Sequence, residues 1–181
     1  VARVMAERFG ARTLQLVNHR RTVAERPWAT PENLERAIGA AAARMDRDED
    51  VLFIHLTSHG AHSGSLAATF WPLGLEALTP QRLKSALDGA GVRHRVISVS
   101  ACYSGSWIAP LADEHTLVMS AADADHTSYG CGRGSELTYF GRAMFDEALR
   151  GTRSFEAAHA QARGVIEQRE KQAGKDDGYS N

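Results

Sequence analysis

Two apolar segments, each followed closely by a chemically reactive side chain and a glycine, constrain the fold of this chain most strongly. Residues 51–57 form the first segment and lead into His59, whereas residues 96–99 form the second and lead into Cys102. Both are nearly continuously apolar, as is typical of strands that are covered on both faces. In an open parallel sheet, ligands bind beyond the carboxyl ends of the strands. The pattern therefore predicts an imidazole and a thiol at one edge of a parallel sheet.

The rest of the chain alternates between predicted helices and strands. Helices are predicted to begin after Thr30 and Thr79, because each of these hydroxyl residues precedes a proline at the first helical position. Further strands are predicted at 13–17 and 116–120, a hairpin or arm at 61–74, and two late helices at about 135–149 and from about 152 onward. This order favours an α/β fold, a three-layer α/β/α sandwich with a mainly parallel sheet.

Length and charge limit the classes of partner. A chain of 181 residues suits one domain spanning 1–181, and its charged end from about 170 to 181 is expected to fray. The net charge of −1 gives no basic footprint for nucleic acid. No apolar run approaches the roughly 18 residues of a membrane span. Because the chain begins with Val1, we expect it to be part of a longer protein, so compartment and oligomeric state stay open.

The predicted edge holds the chemical groups of a cysteine hydrolase. A thiol attacks as the thiolate, and a neighbouring imidazole both lowers the thiol pKa and protonates the leaving amine. The backbone N–H groups of Gly60 and Cys102 would bind the oxyanion. Glycine at position 60 also lets a substrate carbonyl approach without meeting a Cβ. These residues predict a Cys102–His59 dyad, most simply that of a peptidase.

Other interpretations of the same residues stay open. His55, His59 and His62 match the number of ligands of a catalytic zinc, but they straddle a strand end, so neither a metal nor a cofactor is predicted. Cys131 is a rival thiol in a glycine-rich loop. We expect both cysteines to be free rather than paired. A cysteine at a strand end can also be simply a small core residue.

Three short strings resemble the legumain family of cysteine peptidases (C13-type), and its bacterial members most closely. They are SHG at 58–60, SACYSGS at 100–106 and TSYGC at 127–131, within a likeness that covers roughly residues 13–150. The His-Gly and Ala-Cys pairs within the first two strings are shared with caspases, gingipains and separases. The Ser-Tyr-Gly-Cys loop in the third string narrows the resemblance to the legumain family. The resemblance implies a caspase-like fold, with Cys102 as the nucleophile that forms a thioester acyl-enzyme and His59 as general base and acid.

The resemblance also implies roles for residues around the dyad. Asn18, which opens the string NHRR at 18–21, corresponds to a residue that orients His59, and Arg20 corresponds to a residue of the primary specificity pocket. The further residues implied to line that pocket are Ser100, Ala101 and Ser128. Two carboxylates that help legumains hold an asparagine side chain are replaced here by Ser100 and Arg142. An acidic and a small residue at the cleavage site therefore both stay open.

Three function classes follow from these residues. The first is an endopeptidase acting on peptides or proteins, with transpeptidation (ligation) when an amine outcompetes water. The second is a catalytically silent caspase-like module that binds a partner, and the third is a thiol amidase or acyltransferase. The presence of both dyad residues favours the first. The resemblance also indicates a bacterial source and leaves open a protein tethered or exported through segments outside this chain.

Overall fold

The computed structural model describes residues 1–68, 74–132 and 135–180. The predicted arm at 61–74 therefore lies partly outside the described residues. Its described part pairs with antiparallel geometry, since Leu66 bridges both Gly60 and Leu78.

A parallel sheet lies at the centre of the described chain. Its strands are β1 (Val51–Thr57), β2 (His94–Ser100) and β3 (Thr116–Ser120), in that order across the sheet. Both neighbouring pairs are parallel, and the register places Thr57 opposite Ser100 at the carboxyl end. Strand β2 is buried along almost its whole length, as expected of a central strand covered on both faces.

Helices precede, separate and follow the strands. They are α1 (Ala2–Phe9), α2 (Pro31–Ala42), α3 (Pro80–Ala90), α4 (Ile108–Leu111), α5 (Tyr139–Gly141), α6 (Leu149–Gly151) and α7 (Phe155–Gln172). A 3-10 turn, Ser104–Trp107, precedes α4, and a π-helix, Arg142–Ala148, joins α5 to α6. The predicted caps of α2 and α3 are confirmed, because Thr30 and Thr79 each accept a backbone N–H of the first turn.

Two apolar cores lie on opposite sides of the sheet. The core beneath α1, the α5-to-α6 segment and α7 includes Val96, Met119, Phe140, Phe145, Ala162 and Ile166. The core beneath α2, α3 and α4 includes Ile54, Leu83, Leu87, Ile97, Val99 and Trp107. Because successive side chains of a strand point to opposite faces, β2 contributes Val96 to the first core and Ile97 to the second. This confirms the predicted α/β three-layer sandwich.

Two element predictions were wrong near the start of the chain and before α5. Residues 13–17 form no strand; Val17 N–H bonds to the carbonyl of Pro27 at 2.9 Å, and Leu14 is 63% exposed. A segment with alternating apolar residues forms a strand only when it can pair with the edge of a sheet. Here the backbone of Val17 pairs with Pro27 in a loop instead. The late helix begins at Tyr139 rather than near 135, because Thr138 caps it by accepting Gly141 N–H at 2.9 Å.

The predicted frayed tail was also wrong. Helix α7 continues to Gln172, and Glu170, Gly178 and Ser180 are all buried. Hydrogen bonds join the tail to the end of β3 and the loop that follows, and the Tyr179 ring contacts the ring of His126, so these contacts order the segment. No helix in the described ranges is both long and apolar enough to span a membrane.

Candidate active site

The ends of β1 and β2 bring the His59 and Cys102 segments together at one edge of the sheet. Ser58 donates its backbone N–H to the carbonyl of Ser100 at 3.3 Å, which continues the pairing one residue past the strands. Gly60 then lies directly against the Cys102 backbone, and a Cβ at position 60 would overlap the Cys102 carbonyl oxygen. Glycine is therefore required for this close approach. The structure places the two segments side by side, as the sequence predicted.

The loop after His59 is held by its backbone. Ala67 N–H donates to the carbonyl of His59 at 2.9 Å, and the Ser58 hydroxyl donates to the carbonyl of Ala67 at 2.5 Å. The indole of buried Trp107 donates to the carbonyl of Gly64 at 2.7 Å, which ties this loop to the turn after Cys102. His59 itself is exposed to solvent. The main chain at this position is fixed while the imidazole faces outward.

Cys102 is half-buried at the start of a tight turn. Its thiol donates to the carbonyl of Ser128 at 3.7 Å, and the Ser128 hydroxyl lies 4.0 Å from the sulfur. The next residue, Tyr103, has a φ of 57°, in the left-handed region that costs a non-glycine residue about 1 kcal/mol or more. Tyr103 N–H donates to the carbonyl of His126 at 2.9 Å. Strained backbone of this kind clusters at active sites, where surrounding contacts hold it in place.

A buried hydroxyl joins this turn to the end of β3. Ser104 Oγ accepts the backbone N–H groups of Ala121 at 3.1 Å and Ala122 at 3.2 Å. Gly105 packs against the backbone of Asp123, where a Cβ would lie 2.6 Å from main-chain atoms. The turn that holds Cys102 follows β2, and these contacts also fix it to the backbone at the end of β3.

The two predicted oxyanion donors are available. Among the described residues, neither Gly60 N–H nor Cys102 N–H donates to another backbone group. Unpaired N–H groups beside a nucleophile are the donors that an oxyanion needs.

The residues predicted to bind substrate fall into two groups. Ser128 lies at the Cys102 thiol, whereas Ser100 and Ala101 are each only 2% exposed. The Ser100 hydroxyl is paired with the hydroxyl of Thr138 at 2.8 Å. Sequence reasoning missed Thr138, although a threonine before a helical segment is a capping signal. Ser100 and Ala101 thus lie beneath the surface next to Cys102, and half-buried Thr138 contacts Ser100.

Asn18 and Arg20 lie in the loop before α2. Both ends of the Asn18 side-chain amide are bound to Ala29: Nδ2 donates to its carbonyl at 3.1 Å, and Oδ1 accepts its N–H at 2.8 Å. No hydrogen bond joins Asn18 to His59 within the described ranges. Arg20 is exposed in the turn that follows. Among the described residues, the hydrogen bonds of the Asn18 side chain therefore go to Ala29 and not to His59 or Cys102.

His55 lies inside β1, away from the exposed edge. Its Nδ1 is 3.1 Å from the Ser98 hydroxyl, and its ring meets Phe145 edge-on at 4.9 Å. Burial lowers the pKa of His55 to about 4, so the ring is neutral at pH 7. His62 contacts the Tyr103 ring instead, at 4.9 Å. In the described part of the chain, no three His, Cys, Asp or Glu residues are grouped as metal ligands would be.

Both cysteines are free, as predicted. Cys131 is exposed, whereas Cys102 is half-buried among polar contacts. Cys102 closely follows β2, whereas Cys131 lies in the loop before α5.

The model of a family described as the Peptidase C13 family matches residues 32–181. Among curated proteins, none matches this chain.

Proposed function

The chain belongs to the Peptidase C13 family, and from this premise we propose that it is a cysteine endopeptidase acting through a Cys102–His59 dyad. The family indicates cysteine peptidase activity, and the three-layer architecture is consistent with its caspase-like fold. The observation that supports the dyad is the contact between the Gly60 and Cys102 backbones at the carboxyl edge of the sheet. Because His59 and Cys102 belong to the two segments joined by this contact, the contact supports pairing the imidazole with the thiol.

The proposed reaction has two steps. The Cys102 thiolate attacks the carbonyl carbon of a peptide bond, and a C–S bond forms while the carbonyl oxygen becomes an oxyanion bound by the N–H groups of Gly60 and Cys102. When the intermediate collapses, the C–N bond breaks and protonated His59 gives its proton to the leaving amine. Neutral His59 then removes a proton from water, which attacks the thioester and regenerates the thiolate. An amine in place of water would give ligation.

The turn around Cys102 supports a nucleophile that is oriented before substrate binds. The positive φ of Tyr103 and the Ser104 contacts fix the direction of the thiol. Ser128, at the sulfur, is the pocket residue with direct support. Ser100 and Ala101 would shape the pocket from below. Asn18 as an orienter of His59 and Arg20 as a pocket residue stay predictions; the bonds to Ala29 leave Asn18 one free amide hydrogen for the first role.

Thiol labelling tests the dyad. The protein would be treated briefly with limiting iodoacetamide at several pH values, and the labelled cysteine identified by tryptic mass spectrometry. We expect Cys102 to react faster than exposed Cys131 at neutral pH, because the thiolate is the reactive form and a neighbouring imidazole favours it. His59→Ala should abolish that difference in rate. His62→Ala is the matched control, because it removes a neighbouring exposed histidine.

Equal, slow labelling of the two cysteines would contradict the dyad and favour a silent partner-binding module. A peptide library then separates the remaining classes. Cleavage that is lost in Cys102→Ser supports an endopeptidase, whereas labelling without any peptide cleavage would favour a thiol amidase or acyltransferase.

A further inference from the structure

A buried carboxyl group lies in α7, outside the proposed dyad. Glu170 is 1% exposed, and its Oε2 accepts the backbone N–H of Gly178 at 2.9 Å. Its Oε1 is buried without a hydrogen-bond partner among the described residues. Burying a carboxyl group with an unpaired oxygen is unfavourable, so the contact it makes at Gly178 requires an explanation.

That contact anchors residues 174–180, which we call the C-terminal strap. The carbonyl of Gly178 accepts Asp123 N–H at 2.9 Å. Two residues on, the Ser180 hydroxyl donates to the carbonyl of Ser120 at 2.7 Å. The strap is polar and contributes no residue to either apolar core. Its contacts are directed at the end of β3 and the loop that follows.

The loop at 121–130 in turn bonds to the turn that holds Cys102, in addition to the Ser104 contacts described above. The carbonyl of Asp123 accepts Gly105 N–H at 3.3 Å, and the carbonyl of His126 accepts Tyr103 N–H at 2.9 Å. The carbonyl of Ser128 accepts the Cys102 thiol at 3.7 Å. An unbroken series of hydrogen bonds therefore runs from α7, through the strap and the loop, to Cys102.

We propose that Glu170 is a positioning residue for Cys102, acting through the C-terminal strap and the loop at 121–130. This inference rests on the proposed function, since it assigns Cys102 as the group to be positioned. Glu170 holds Gly178, Gly178 holds Asp123, and the loop holds Tyr103 and Cys102. Through these contacts, the C-terminal strap holds the turn that contains Cys102 in place.

The surroundings of Glu170 fit a structural contact. Burial raises the pKa of Glu170, whereas the hydrogen bond from Gly178 N–H lowers it and the carboxylates of Asp177 and Glu167 raise it. Glu170 Oε1 and the carbonyl oxygen of Thr127 both lie on the side of Gly178 where a Cβ would point. Glutamine has the same shape and no charge, so Glu170→Gln should preserve the contact with Gly178.

The test uses the 181-residue chain carrying Cys131→Ser, so that Cys102 is its single thiol. Glu170→Ala removes the anchor, and Gly178→Ala disturbs it independently, because the new Cβ would lie 2.9 Å from the Thr127 carbonyl and 3.1 Å from Glu170 Oε1. Glu167→Gln and Gly164→Ala are matched controls on exposed positions of α7. Iodoacetamide labelling of Cys102 against pH and hydrogen exchange at Tyr103 N–H are measured, with thermal unfolding to confirm the fold.

We expect Glu170→Ala and Gly178→Ala to slow Cys102 labelling at neutral pH by about tenfold and to speed Tyr103 exchange by a similar factor. Glu170→Gln and both controls should stay within about twofold of the parent. A merely stabilising role would lower the unfolding temperature without moving either readout. Folded Glu170→Ala and Gly178→Ala variants with unchanged labelling and exchange would overturn the positioning role.

The two proposals fail in different ways. If Cys102 in the parent is no more reactive than an ordinary thiol, the dyad fails, and Tyr103 exchange still decides whether the strap positions the turn. If the parent is reactive but the strap variants match it in both readouts, the dyad stands and the positioning role fails.

Discussion

The nucleophile side and the histidine side of the candidate site are held in different ways. Around Cys102, polar contacts come from the loop at 121–130, which begins at the end of β3, and from the turn itself. At His59 only the main chain is held, and the ring is exposed without a hydrogen bond from the described residues. The thiol is therefore oriented by tertiary structure, whereas the imidazole keeps rotational freedom that a bound substrate would remove. Pre-organisation at this edge is concentrated on the nucleophile.

The largest expected effect comes from removing either half of the dyad. Cys102→Ala and His59→Ala should each lower kcat/KM for peptide cleavage by about a thousandfold or more, because the two groups act as one unit. The double variant should be little worse than either single variant. Cys131→Ser, which removes the exposed thiol, should retain full activity. Additive losses in the double variant would argue that the two residues work separately.

Acid should lower the stability of the fold through two histidines, His55 on the His59 side and His159 on the Cys102 side. His55 lies in β1, and His159 lies behind the strap with Nε2 at 3.1 Å from the Ser180 hydroxyl; burial lowers the pKa of each to about 4. Between pH 6.5 and 4 the unfolded state binds protons that the folded state does not, so stability is full above 6.5 and falls as pH drops through this window. A shift of this size is worth roughly 3 kcal/mol per histidine.

Urea unfolding at pH 7 and pH 4.5 measures this loss. His159→Gln, which stays neutral, should reduce the dependence on pH, whereas exposed His62→Gln should not. An unchanged midpoint across the window would show that neither histidine is buried as a neutral ring.

Adding one methyl group at Gly60 tests how closely the two sides approach. Gly60→Ala places a Cβ on the Cys102 carbonyl oxygen, so the segments must separate. We expect a loss of about a hundredfold in kcat/KM, since small misplacements of reacting groups are that costly. Circular dichroism would confirm that the variant is folded. Gly39→Ala in α2, where a Cβ meets nothing within 4 Å, should be active and slightly more stable.

The smallest effect expected comes from single hydroxyl groups. Ser104→Ala leaves the buried N–H groups of Ala121 and Ala122 without their acceptor and should lower the free energy of unfolding by about 2 kcal/mol. Ser63→Ala, at an exposed hydroxyl of the loop after His59, should change it by less than about 0.5 kcal/mol. If urea unfolding showed the same loss of stability for Ser104→Ala and Ser63→Ala, the Cys102 side would not be held more firmly than the His59 side.

Local sequence signals were sufficient for the elements that form the edge. Continuous apolar segments predicted β1 and β2, and hydroxyl-proline pairs predicted the starts of α2 and α3. The same kind of signal failed at residues 13–17, where the alternation is present but the backbone pairs with Pro27 instead. A pattern of side chains indicates which conformation a segment tolerates, and it does not say whether a sheet edge is available to it.

By itself, the sequence determined the parallel sheet and the placement of His59 and Cys102, because these depend on hydrophobic periodicity and on glycines read within a few residues. Only the tertiary structure decided what holds Cys102. The hydroxyl of Ser180 reaches the carbonyl of Ser120 across 60 residues, and Glu170 is buried by a strap that looks like a charged tail. Hydrogen bonds between backbone and polar side chains at such separations leave no periodic trace in the sequence. They form only after the helices and strands have packed.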